Sequence, residues 1–71
     1  MTTTDVTATL PDRVQRWMTY RGISHADLAA ALGLSRSGVT RRLRGQIPLR
    51  ATEVAIIARV LDMPASELLD P

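Results

Sequence analysis

Apolar residues recur along this chain at helical spacing, broken at regular points by glycine, serine and proline. Leu10, Val14, Trp17 and Met18 fall on one stripe. That stripe predicts a first helix with Thr9 as N-cap, running to about Arg21. Asp12 takes a capping-box-like position and suits the helix dipole, and Gly22 ends the element. A second helix is marked by Ser24 as cap, Asp27 completing a Ser-x-x-Asp box, and Ile23 placed to staple onto Leu28. Its apolar positions are Leu28, Ala29, Ala31 and Leu32, and Gly33 stops it. The third helix repeats the grammar: Ser35 caps, Leu34 staples onto Val39, and Gly45 closes. After a loop over 46–49, Val54, Ile57, Ala58 and Leu61 follow the i, i+3, i+4, i+7 pattern of a fourth helix from about Arg50 to Leu61. Pro64 suits the first turn of a short last helix ending near Leu69. Residues 1–9 are Thr-rich and read as a flexible arm. The expectation is an all-α, five-helix domain over 10–71.

The third helix is the unusual one. Only Val39 and Leu43 give it a buried edge, and the rest is Arg36, Ser37, Gly38, Thr40, Arg41, Arg42 and Arg44. So short a helix is marginal alone, and its outer face is built for something other than the core. Charge sharpens this. The net charge of +2 is modest, yet between 36 and 52 the chain carries Arg36, Arg41, Arg42, Arg44 and Arg50 with no acid. Residues 1–35 balance, and residues 53–71 are net acidic, with Arg59 against Glu53, Asp62, Glu67 and Asp70. A focused basic patch favours a polyanion, nucleic acid first; a solvated helix face is the bland alternative. All nine basic residues are Arg, the side chain that forks onto phosphate and guanine.

Other classes find little support. There is no cysteine and one histidine, so no disulfide and no metal site is expected, and no cofactor. No paired carboxylates, Cys nucleophile or Gly-rich phosphate loop point to an enzyme, and Ser24 and Ser35 are explained by capping. One Trp and one Tyr are too few stacking faces for single-strand binding, and Trp17 reads as core rather than as a stacking platform. No signal peptide or membrane span is visible, so the cytoplasm of a bacterial or phage-infected cell is the expected location, with no membrane partner and no small-molecule ligand.

Two helices joined by a tight Gly-containing turn suit DNA: one braces across the backbone while the next lies in the major groove. Ala29 allows close approach, Gly33 the turn, and Leu34 and Val39 the anchoring. With Leu28-Ala29, Gly33-Leu34-Ser35, Val39, Arg44-Gly45, Ile57-Ala58 and Leu61, the chain resembles the Cro and lambda-type repressor family of helix-turn-helix regulators over about residues 13–69. The resemblance implies a five-helix lambda-repressor-like domain with its helix-turn-helix at about 25–44. It implies Arg36, Ser37 and Arg41 as base readers with Thr40 close by. It implies His25 and Arg44 as backbone contacts; Gly38, Arg42 and Arg50 join them as backbone candidates on position and charge, although many relatives carry an apolar residue in place of Arg42 and a capping Ser or Thr in place of Arg50. Arg is the commonest specific reader of guanine, so sites containing guanine are expected. Where many relatives carry a Glu–Arg pair, this chain has Leu43 and Met18, an apolar substitute for a buried ion pair. Gly38 costs roughly 1 kcal/mol of helix propensity against Ala; close approach to DNA or a tolerant position both account for it.

The expected function is sequence-specific binding of double-stranded DNA by a transcriptional regulator, a repressor of phage Cro or immunity type. At this length no attached effector domain is expected. An antitoxin on the same fold, or a protein-interaction module, are the rivals. Ile56, Val60 and Met63 are surplus to the core stripe of the fourth helix. They form either a wider core or the interface of a homodimer presenting two reading helices roughly 34 Å apart.

Overall fold

The helices form where capping and apolar spacing place them, because both are local. The computed structural model describes residues 10–69, and Thr9 and the 1–9 arm lie outside them. Among the described residues the chain is all-helical: α1 Leu10–Arg21, α2 His25–Leu32, α3 Arg36–Leu43, α4 Ala51–Val60 and α5 Ala65–Leu69. The Ser24 capping box is reciprocal, with the Asp27 N–H donating to Ser24 Oγ and the Ser24 N–H to Asp27 Oδ2, both at 3.0 Å. Ser35 Oγ accepts the Gly38 N–H at 3.0 Å. Arg50 proves to be the cap of α4 rather than its first residue, and its N–H donates to Glu53 Oε1 at 3.0 Å.

One terminating device recurs. At α2, Gly33 takes φ +69 and the Leu34 N–H reaches back to the Ala29 carbonyl at 3.0 Å, turning the chain into α3 within three residues. The same device closes α4 without glycine: Asp62 has φ 58, its N–H donates to the Arg59 carbonyl at 3.1 Å, and the Met63 N–H donates to the Ala58 carbonyl at 3.0 Å. In this motif the residue after the left-handed one folds its side chain back over the helix end. Met63 is therefore buried in the core, 9% exposed, and not on an outer patch.

The core gathers Val14 and Met18 of α1, Leu28 and Ala29 of α2, Val39 and Leu43 of α3, Val54, Ile57 and Ala58 of α4, then Leu61, Met63 and Leu68. Met18 and Leu43 are both buried there, as an apolar pair requires. α2 packs on α3 and α4, α1 on α3 and α5, and α4 on α5. Two long polar side chains of α1 satisfy helix ends far along the chain. Gln15 Nε2 donates to the Leu43 carbonyl at 2.8 Å, and Arg13 Nε donates to the Leu68 carbonyl at 3.0 Å. Each partners a carbonyl that a helix C-terminus leaves without an intrahelical donor. No helix among the described residues is long and apolar enough to cross a membrane.

Candidate nucleic-acid interface

α3 is held from below and open above. Val39 and Leu43, four residues apart, are 1% and 3% exposed and fix its inner edge. Ser37 and Arg41 stack at i, i+4 on the outer side, as do Thr40 and Arg44, so these four share one sector. Arg36 opens the helix beside Thr40 on the same wheel. Arg36, Ser37, Arg41 and Arg44 are exposed, and Thr40 and Gly38 are half-buried. Arg50, at the cap of α4, is exposed.

Arg42 departs from the backbone-contact role expected for it. Its side chain is 15% exposed and turned toward α4, where Nε lies 3.3 Å from Glu53 Oε2. Its Nη1 donates to the Gly38 carbonyl at 3.0 Å, within α3. The reason is geometric: Arg42 leaves α3 on the side opposite Thr40, and Glu53 in the first turn of α4 comes within its reach. Glu53 is thereby shared between Arg42 and the Arg50 N–H. The Arg50 N–H bond, with help from Arg42, holds its carboxyl below the usual glutamate value. One of the five basic charges of 36–52 is thus neutralised inside the fold, and Arg36, Arg41, Arg44 and Arg50 remain outward.

His25 also has a job visible only in three dimensions. Its Nδ1 lies 3.2 Å from Thr40 Oγ1, a hydrogen bond between the start of α2 and the middle of α3. It ties the two helices together beside the outer sector and fixes where the Thr40 hydroxyl sits. Gly38 does not need to be glycine for internal reasons: a Cβ there would meet Ser35 Oγ at 3.4 Å, Arg42 Nη1 at 3.5 Å and Leu34 Cβ at 3.7 Å, ordinary contact distances.

The Ile56, Val60, Met63 patch does not survive as a unit, since Met63 is core, Val60 packs half-buried against it, and Ile56 is half-buried. Sequence reasoning missed the Arg42–Glu53 pair and the His25–Thr40 bond. The first had a faint signal, a lone Glu just after the Arg run; the second had none. Among the described residues no group of His, Cys, Asp or Glu is placed to hold a metal ion. What the surface can do is offer several guanidinium forks and two hydroxyls on one rigid helix, the donor set that reads phosphates and base edges.

No curated protein and no solved structure matches the chain significantly. The family model described as the BetR domain matches residues 5–71, so the chain belongs to the BetR-domain family.

Proposed function

We propose that this chain is a sequence-specific regulator of double-stranded DNA, acting as a repressor in the manner of the Cro and lambda-type proteins it resembles. α2 braces across the phosphate backbone and α3 lies in the major groove. The observation that carries the reading is the outer sector of α3: Arg36, Ser37, Thr40, Arg41 and Arg44 without an acid, on a helix whose own core contribution is Val39 and Leu43 alone. Supporting it, the Gly33 turn brings α2 and α3 into direct packing, and His25 bonds to Thr40 across them.

In this mechanism Arg44 and Arg50 bind phosphates and supply salt-dependent affinity that is blind to sequence. Arg36, Ser37 and Arg41 meet base edges, each good contact contributing about 1–3 kcal/mol of discrimination. Thr40, held by His25, offers a hydroxyl at a fixed place. Selection of bound duplexes from a random DNA library, repeated across salt concentrations, tests the reading. The expected result is a guanine-containing motif whose affinity falls steeply with salt. Absence of any enriched motif at low salt would sink it and leave the Arg surface to another partner.

A further inference from the structure

α1 carries a second surface, on the flank away from α3. Gln15 leaves one side of α1 to reach the Leu43 carbonyl of α3. Arg13 leaves the other side to reach α5, with Nη2 3.3 Å from the Leu69 carbonyl. Trp17 and Tyr20, four and seven residues after Arg13, continue this α5-side flank. Tyr20 is 78% exposed, and it and Leu69, 52% exposed at the end of α5, are the large hydrophobics left open among the described residues. Trp17 packs half-buried on the core, and its ring meets Tyr20 edge-on, with centroids 5.7 Å apart at 87°. The Arg21 guanidinium sits 5.6 Å from the Trp17 centroid and 5.9 Å from that of Tyr20. Arg16, Trp17 and Tyr20 line an open cleft of about 350 Å³. Arg16 and Arg21 are exposed, and neither joins an ion pair among the described residues.

We propose that this flank docks an acidic segment of a partner protein that seats one bulky apolar side chain in the cleft lined by Arg16, Trp17 and Tyr20. Three observations select that occupant. The sign is positive, so carboxylates on either side of the inserted residue find Arg16 and Arg21. The cleft is a local opening beside Arg16, Trp17 and Tyr20 of α1, which suits a side chain on an extended segment and not a broad domain face. The residues are aromatic and Arg, the types that dominate protein interfaces energetically. The chain's own first nine residues are a poor fit, with one acid, Asp5, and no aromatic or leucine. The surface is set apart from the α3 sector, so docking here leaves DNA binding free; the proposal stands whether or not α3 reads DNA.

Random-peptide display against the full chain provides the test. Enriched peptides are expected to carry Asp or Glu on both sides of a Phe or Leu. Their binding is expected to shift the emission of Trp17, the one tryptophan in the chain. It is expected to weaken at least tenfold in Arg16→Glu and in Tyr20→Ala, with thermal melts like the parent's, and to persist in Arg36→Ala. No enrichment, enrichment of neutral or basic peptides, or equal binding to the Arg16→Glu and Tyr20→Ala variants would each overturn it. Two other results would overturn it by reassigning the surface. Trp17 quenching by a single-stranded oligonucleotide without peptide binding would give it to nucleic acid. Tyr20-dependent dimerisation in sedimentation, again without peptide binding, would give it to a second copy.

Discussion

Replacing Arg42 with alanine separates two jobs that the sequence cannot tell apart. In the structure its guanidinium contacts the Glu53 carboxylate at 3.3 Å and the Gly38 carbonyl at 3.0 Å, with 15% of each charged side chain exposed. Hydrogen bonds to charged groups contribute about 1.5–3 kcal/mol when short and enclosed; exposed ion pairs contribute about 0.2–1 kcal/mol. The Glu53 contact is long and partly wet, so it belongs near the lower range. Glu53 is not orphaned by the change, since it keeps the Arg50 N–H at 3.0 Å. The expected loss is about 1–2 kcal/mol in all. For a domain of this size that lowers Tm by about 5–15 °C. Circular dichroism melts and urea titrations measure it, with an unchanged m-value showing that the native state is otherwise intact. A cycle with Glu53→Gln is expected to recover about 0.5–1 kcal/mol as pairwise coupling. The salt dependence of DNA binding is expected to stay as in the parent, because this charge is already neutralised. An unchanged Tm together with a salt slope flatter by about one unit would refute the argument and return Arg42 to the phosphates.

Four further outcomes are expected. Arg41→Ala lowers affinity for the selected DNA motif far more than for random duplex, whereas Arg44→Ala weakens both alike and flattens the salt slope by about one unit; competition binding reads both. Gly38→Ala raises stability by about 0.5–1 kcal/mol in urea titrations, since the added Cβ meets only ordinary contacts; a loss would show that the backbone there is more crowded than these distances. His25→Ala and Thr40→Val shift base preference at the same motif positions, and the double variant is no worse than either single one, because one bond joins them; independent, additive effects would separate the two residues. Acid stability follows Glu53 and Asp27. Backbone hydrogen bonds from Arg50 and Ser24 respectively, the largest cause in each case, lower both carboxyls below their ordinary values of 4.5 and 3.8. A lowered native value means that the folded state binds fewer protons, so this stability is complete above those ordinary values and is lost as pH falls through the lowered ones. Melting curves against pH check it, and Glu53→Gln with Asp27→Asn is expected to flatten the acid limb.

Most of the fold was legible because it rests on short-range rules. Ser24 with Asp27 and Ser35 with the Gly38 N–H are bonds across three residues, readable from spacing alone. The stripe of Val54, Ile57, Ala58 and Leu61 declares its inner face, and all four are buried. The α3 sector was legible for the same reason: once Val39 and Leu43 face inward, helical geometry sends Ser37 and Arg41 outward. Less legible was the end of α4, where Asp62 does the work that glycine does at Gly33. A left-handed Asp is tolerated through its short polar side chain, and composition gives no strong sign of it.

The amino-acid sequence by itself determined how many helices form and about where each lies, which edge of each is apolar, and that positive charge concentrates between 36 and 52. The first two are settled within about one or two helical turns. Only the tertiary structure decided what the individual polar side chains do. Arg42 meets an acid 11 residues away, His25 a hydroxyl 15 away, Gln15 a carbonyl 28 away and Arg13 a carbonyl 55 away. An exposed guanidinium and a half-buried, paired one have the same sequence signature. They differ in whether packing sets a carboxylate within about 4 Å and excludes water from between them, and that depends on which helix lies alongside.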